Sequence, residues 1–124
     1  MRKKLWLVAA SLWTIFLIVL CLVNFNNLPT VSVSNFDKYA HASFHFIFTI
    51  LWYMYLRVED RKVSNAQLLL KIVSASLFLG IGLEIGQAFT LTRSPDFADA
   101  LANLSGAIIG ALVLFAHRRW INKP

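Results

Sequence analysis

The stretch that decides the fold is "GLEIGQAFTLTRSPDFADALANLSGAIIG", residues 82–110, where two apolar runs carry polar side chains at regular intervals. These side chains are Glu84, Gln87, Arg93, Asp96, Asp99 and Asn103. An ionisable group inside a membrane span costs about 2.5–3.5 kcal/mol on insertion scales, and such groups usually face the protein interior and pair with one another. The stretch therefore predicts two membrane helices that bring a polar cluster together.

The composition of the whole chain is typical of a membrane protein with one domain. Its 124 residues are 58% hydrophobic and only 15% charged, whereas a soluble domain has roughly 25% charged residues. The net charge of +6 does not indicate a nucleic-acid partner, because the basic residues lie at the ends of apolar runs and not on one exposed face. We expect the lipid bilayer to be the main partner.

Four apolar segments, about 5–23, 39–56, 68–89 and 98–116, approach the roughly 20 residues that a bilayer core requires. Helices satisfy their own backbone hydrogen bonds in lipid, so each segment is expected to be helical. The first segment exceeds the roughly 7–15 apolar residues of a secretory signal, which favours an uncleaved span. The sequence therefore predicts an all-α integral membrane four-helix bundle, a single domain over residues 1–124, with no cofactor.

The basic residues predict the orientation of these spans. Nine of the twelve Lys and Arg residues lie before span one, between spans two and three, or after span four, and a tenth, Lys71, lies just inside the start of span three; only Lys38 and Arg93 lie on the other side. Cytoplasmic loops carry the excess of positive charge in membrane proteins. We therefore expect a multi-pass protein of the cell (inner or cytoplasmic) membrane, with both termini cytoplasmic and the loops after spans one and three outside.

This orientation places polar residues of three spans in one layer near the outer surface. Within each span they recur every three or four positions, as His41 and His45 do, so they share one helix face. The predicted ligand-binding site consists of Asp37, Lys38, His41, Glu84, Gln87, Arg93, Asp96, Asp99 and Asn103. We expect Glu84, Asp99 and His41 at its centre, as candidates for any catalytic role.

Two glycine pairs predict close packing of the helices around this site. Gly82 and Gly86 form one GxxxG motif, and Gly106 and Gly110 form another. Small residues at this spacing allow two membrane helices to approach closely. We expect spans three and four to form a tight antiparallel hairpin, with these four glycines as packing residues.

Other interpretations of the polar residues stay open. Asp96 and Asp99 suit the N-terminus of span four as helix caps, and Arg93 would then only neutralise them. His41 and His45 form a weak candidate pair for a metal, because a single HxxxH spacing is more often that of histidines held by hydrogen bonds. In the sequence no Ser or Cys stands beside a base as a nucleophile would, and Cys21, the only cysteine, is expected to be a buried, inert thiol.

At these residues the chain resembles the VanZ-like family, named for a protein associated with teicoplanin resistance. The resemblance lies in "DKYAHASFHF" (37–46), "EIGQAF" (84–89) and "RSPDFADALANLSGAIIG" (93–110), which keep the order and spacing of the family pattern. It covers about residues 37 to 113. The combination is specific, although each piece alone is not. It implies a small polytopic membrane protein and does not imply a known reaction.

Two classes of function follow from the predicted site. The first is a binding protein that recognises a lipid-linked cell-wall precursor, a phospholipid headgroup or a lipophilic glycopeptide, and so modulates the cell envelope or antibiotic susceptibility. In it, Lys38 and Arg93 would hold an anionic headgroup. The second is an intramembrane enzyme that modifies a lipid or polyprenyl-linked substrate, with Glu84 or Asp99 as general base and His41 as acid or metal ligand. Four short spans are too few for a transporter alone, unless copies assemble into a homo-oligomer.

Overall fold

The computed structural model describes residues 2–22, 36–59, 62–89 and 97–121, and the ordered elements in these ranges are all α-helices. They are α1 (Arg2–Leu22), α2 (Phe36–Glu59), α3 (Asn65–Ala88) and α4 (Phe97–Ile121). The prediction of an all-α protein is confirmed. Each helix extends beyond or shifts from its apolar segment by a few residues, because polar residues at the ends of a span continue the helix into the interfacial layer.

Three of the helices, α1, α3 and α4, are long and apolar enough to cross a membrane. Helix α2 has 24 residues, a length of about 36 Å at 1.5 Å per residue, but it carries Lys38, His41 and His45 in its first half and is the least apolar of the four. Its polar first half is therefore suited to the interior of a bundle rather than to lipid.

Helix α2 lies at the centre of the bundle and contacts each of the other three helices, most extensively α4. The indole N–H of Trp13 in α1 donates to the carbonyl oxygen of Phe44 in α2 at 3.0 Å, and that of Trp52 in α2 donates to the Thr14 hydroxyl at 3.0 Å. Large apolar side chains such as Phe78 remain exposed on the outer faces of the bundle. A lipid environment accounts for these faces, because it removes the penalty that water would impose.

The apolar core fills the space between α1, α2 and α3. Its buried members include Leu17, Phe48 and Ile72. Near the start of α3, the Ser64 hydroxyl accepts a hydrogen bond from the backbone N–H of Gln67 and caps the helix. The core contacts hold α3 against α2, and the cap fixes where α3 begins, which together set the height at which the polar residues of the two helices meet.

The glycines pack differently from the predicted hairpin. A Cβ atom built on Gly106 would overlap the backbone of Ala42 in α2, 2.6 Å from its carbonyl carbon, and one built on Gly110 would lie 3.2 Å from Thr49 Cβ. The glycine face of α4 is therefore directed at α2, and the expected pairing of this seam with span three is wrong. The GxxxG motif marks a smooth helix face but does not specify its partner.

Of the other predicted glycine pair, Gly82 and Gly86 on α3, only Gly86 packs against another helix. A Cβ built on Gly86 would lie 3.1 Å from a methyl group of Leu22 in α1, whereas one built on Gly82 would meet no described atom within 4 Å. The packing role predicted for Gly82 is thus not found. The close approach of α3 to α4 occurs instead at Gly80, where a Cβ would lie 3.1 Å from the Asn103 side-chain nitrogen.

Candidate functional site

The candidate site begins with an ion pair that joins α2 to α4. The Lys38 ammonium lies 2.8 Å from Asp99 Oδ1, and the other carboxylate oxygen of Asp99, Oδ2, lies 3.9 Å from Nε2 of His41. Lys38 and His41 are on adjacent turns of one face of α2, so both reach the same carboxylate. His41 and Asp99 are mostly buried, which makes this pairing stronger than one at a water-exposed surface.

Asp99 also occupies the first turn of α4. Its negative charge is favourable there because the N-terminus of a helix carries a partial positive charge. The two interpretations of Asp99 are therefore compatible: the residue suits the helix terminus, and it pairs with side chains of a second helix.

Helices α1 and α3 contribute the next part of the cluster. The Sγ atom of Cys21 in α1 lies 4.0 Å from Nδ1 of His41. The side-chain amide of Gln87 in α3 donates to the carbonyl oxygen of Cys21 at 2.7 Å. The imidazole of His41 is thus placed between a thiol and a carboxylate, and side chains from all four helices meet at this level.

A second polar layer lies one helical turn deeper. Nδ1 of His45 in α2 is 2.5 Å from the hydroxyl of Ser76 in α3. Asn103 of α4, one turn below Asp99, is only 2% exposed and packs against Gly80. Nε2 of His45 and Oδ1 of Asn103 are buried and have no hydrogen-bond partner among the described residues. Such atoms are rare in native proteins unless a water molecule or a ligand satisfies them.

The remaining predicted residues are placed as follows. Glu84 is half-buried on α3, one turn from Gln87. Asp37 lies in the first turn of α2, but its side chain is outside the described part of the structure. Arg93 and Asp96 lie outside the described residues altogether. Within the described ranges, no three His, Cys, Asp or Glu side chains are grouped as a metal ion would require, so the weak metal pair His41 and His45 gains no third ligand there.

An apolar groove continues below the ion pair on the outer side of α2 and α4. Its volume is about 390 Å³. It is lined by Ala42, Ser43, Phe46, Ile47, Gly106 and Ile109. Ala42 is one turn below Lys38, and Gly106 is two turns below Asp99, so the groove runs from the charged pair toward the middle of the bundle.

A separate apolar cleft of about 420 Å³ lies between α1, α2 and α3. It is lined by Thr14, Phe48, Trp52, Leu56, Lys71, Ile72, Ala75 and Leu79. On α2 these residues come from the second half of the helix, away from Lys38 and His41. The cleft is therefore separate from the Lys38–Asp99 pair, but it borders the deeper layer of His45 and Ser76, because Phe48 contacts the His45 ring.

With this geometry in view, the chain can be compared with known proteins. A family model described as VanZ/LLP1 matches residues 5–118. The chain belongs to the VanZ/LLP1 family. An uncharacterized protein of Schizosaccharomyces pombe is 28% identical over 123 residues, which cover 98% of this chain and 70% of that relative. No solved structure matches the chain.

The VanZ/LLP1 match and the three apolar helices together indicate a membrane location. The family model also matches most of α1, whereas the resemblance seen in the sequence motifs covered only about residues 37–113. This matters for the site because α1 contributes Cys21.

Two nucleophilic residues of this VanZ/LLP1 chain were missed by the sequence analysis. Cys21 is buried, as expected, but it stands beside His41, and Ser76 stands beside His45. The statement that no Ser or Cys accompanies a base is therefore wrong. The signal that could have found Ser76 is its helical register: in an antiparallel pair of spans two and three, Ser76 lies at the depth of His45 and faces it.

Proposed function

We propose that this VanZ/LLP1 protein crosses the membrane four times, with both termini in the cytoplasm, and carries its polar cluster in the outer leaflet. The ten-to-two distribution of basic residues supports this orientation. In it, α2 and α4 begin outside, and Lys38 and Asp99 lie at the outer ends of those helices. Helix α2 crosses as the central helix, with much of its surface covered by the other three.

We further propose that the cluster binds the headgroup of a membrane lipid, with a phospholipid as the preferred class. The observation that carries this proposal is the coexistence of a mostly buried ion pair, Lys38–Asp99, with two buried polar atoms, on His45 and Asn103, that have no hydrogen-bond partner in the described part of the chain. A ligand that carries a phosphate, together with hydroxyl or amine groups, would complement both the ion pair and the two buried atoms. Lys38 would hold the phosphate, and the carboxylates would hold an amine.

The groove below the ion pair supports a lipid over a soluble ligand. Its walls are formed mainly by apolar side chains and by Gly106, and it starts one turn below Lys38. One acyl chain would fill this groove while the headgroup stays at the Lys38–Asp99 pair. The relative in a yeast also favours a lipid that is common to many membranes over a bacterial cell-wall precursor or a lipoglycopeptide such as teicoplanin. Changes in the cell envelope or in antibiotic susceptibility would then follow from altered lipid availability.

The test is to measure the lipids that copurify with the protein in mild detergent. We expect a defined phospholipid with the wild-type chain and less than a tenth of it with Glu84→Gln, which removes a carboxylate from the site with little change in shape. The abundance of the variant in the membrane should stay near that of the wild type. Lys71→Gln is the matched control, because Lys71 lies at the far end of α3 and is exposed, and it should retain the lipid.

A second variant tests whether the groove contributes to lipid binding independently of the charged residues. Ser43→Phe would fill the groove from an exposed position without altering a charged residue. We expect it to reduce copurified lipid as Glu84→Gln does. Retention of the same lipid at wild-type amounts by both variants would contradict the proposed site.

A further inference from the structure

The lipid-binding proposal does not use the chain of contacts from Cys21 through His41 to Asp99. Sγ of Cys21 is 4.0 Å from Nδ1 of His41, and Nε2 of His41 is 3.9 Å from Oδ2 of Asp99. The two nitrogens of one imidazole therefore face a nucleophilic atom and a carboxylate. Three helices, α1, α2 and α4, supply one residue each.

This arrangement is that of a nucleophile, a base and a group that orients the base. With its proton on Nε2, His41 donates toward Asp99 and leaves the lone pair of Nδ1 directed at the thiol. The Lys38 ammonium, 2.8 Å from Oδ1 of Asp99, holds this carboxylate in place beside the imidazole. The two distances exceed those of a closed hydrogen bond, as is common in active sites before substrate is bound.

From this geometry we infer that Cys21 is the nucleophile of an acyl-transfer reaction on a lipid ester. The inference rests on the proposed function in one respect, that the substrate is the bound phospholipid. A headgroup phosphate at Lys38 places the glycerol esters only a few bonds away, near His41 and Cys21. Cys21 and His41 are the catalytic residues, whereas Asp99 and Lys38 are positioning residues.

The reaction is balanced in two steps. In the first, Sγ of Cys21 bonds to the ester carbonyl carbon, the ester C–O bond breaks, and the thiol proton passes through Nδ1 of His41 to the departing alcohol oxygen. This step yields an acyl thioester on Cys21 and a lysophospholipid. In the second step, His41 takes a proton from water, the hydroxide attacks the thioester, and the fatty acid leaves as the thiol is restored.

Two contacts hold the nucleophile in place. Gln87 donates to the backbone carbonyl of Cys21 at 2.7 Å. At Gly86, the residue before Gln87, the lack of a side chain lets Leu22 approach α3 closely. The end of α1 is thus fixed to α3, and the thiol is kept at the level of His41.

The first experiment measures the reactivity of the thiol without any lipid substrate. Because Cys21 is the only cysteine, the rate of alkylation of the purified protein by iodoacetamide at neutral pH reports this residue alone. We expect His41→Asn and His41→Gln to lower the rate at least roughly tenfold, since a free thiol with a pKa near 8.5 is mostly protonated at this pH. His117→Asn is the matched control, because His117 is exposed on α4, and it should keep the wild-type rate.

The second experiment looks for the intermediate. The protein is reconstituted in phosphatidylcholine and phosphatidylethanolamine vesicles with a labelled acyl chain, and intact-mass spectrometry measures acylation. We expect a hydroxylamine-sensitive acyl group on Cys21, no acyl group on Cys21→Ser, and release of lysophospholipid at a rate that falls roughly 10²-fold in the His41 variants. The His117→Asn protein should form the acyl group and release lysophospholipid as the wild type does, because His117 is exposed on α4.

The outcomes distinguish the two proposals. Equal alkylation rates in the wild type and in both His41 variants, or a native thiol that reacts only after unfolding in detergent, would show that Cys21 is an inert buried group. Retained phospholipid without acyl-Cys21 or lysophospholipid would refute the acyl transfer alone. Absence of bound phospholipid from the wild type would refute the lipid-binding proposal itself.

Discussion

At the scale of single residues, the buried polar groups of this protein depend on one another for hydrogen bonds. His45 and Ser76 are both fully buried, and each supplies the other with a partner at 2.5 Å. In a lipid-surrounded bundle no bulk water is present to replace a lost partner, so an unsatisfied group there retains its full desolvation penalty. The polar layers are therefore expected to be sensitive to substitutions that leave the helices intact.

Ser76→Ala tests this dependence. It leaves Nδ1 of His45 without its partner in the bundle interior, and we expect the free energy of unfolding to fall by about 1–3 kcal/mol. Ser105→Ala is the matched control, because the Ser105 hydroxyl is exposed and bonds only to the Leu101 carbonyl of its own helix. Thermal unfolding in detergent measures both. Equal midpoints for the two variants would show that the His45–Ser76 contact contributes nothing to stability.

The sequence was informative about charged residues of the site and uninformative about neutral ones. Lys38, His41 and Asp99 could be assigned to one layer, because an ionisable group in an apolar segment has few stable positions and its helical spacing gives its face. Cys21 and Ser76 carry no such signal. A thiol or hydroxyl is tolerated at any depth of a helix, so only the packing of α1 and α3 on α2 shows that each faces a histidine.

At the scale of helices, the glycines show what a motif can and cannot specify. The GxxxG motifs correctly indicated smooth faces on α4, but both Gly106 and Gly110 are directed at α2. The sequence did not distinguish α2 from α3 as the partner, because both present small or polar side chains at that depth. Helix bounds were predictable to within a few residues, since apolar length and flanking polar residues determine them.

Gly106→Leu tests the close contact of α4 with α2. Any side chain at this position would overlap the Ala42 backbone, which cannot move as a flexible side chain would. We expect the free energy of unfolding to fall by about 1–3 kcal/mol, the usual range for overpacking, and more if the helices separate. Gly82→Leu is the matched control, because its Cβ meets no described atom within 4 Å, and it should unfold at the wild-type midpoint. A stable Gly106→Leu protein would place this face toward lipid instead.

At the scale of the whole molecule, the location of the site depends on the orientation of the chain in the membrane. Helices α2 and α4 start at the same side of the bundle, where α1 and α3 end, so Lys38, His41, Asp99, Cys21 and Gln87 are gathered at one side. The charges at the opposite side include Arg57 and Arg118, in the last turns of α2 and α4. If the positive side is cytoplasmic, the polar cluster meets lipids of the outer leaflet.

Cysteine labelling tests this orientation directly. In a Cys21→Ser background, a membrane-impermeant maleimide should label Asn27→Cys and Ser94→Cys in intact cells, and it should label Ser64→Cys only after the membrane is permeabilised. Ser64 is exposed, so its accessibility is limited by the membrane and not by the fold. Labelling of Ser64→Cys in intact cells would show that the protein has the opposite orientation in the membrane. The polar cluster would then face the cytoplasm, and any lipid bound at Lys38 and Asp99 would come from the inner leaflet, although the contacts within the cluster would be unchanged.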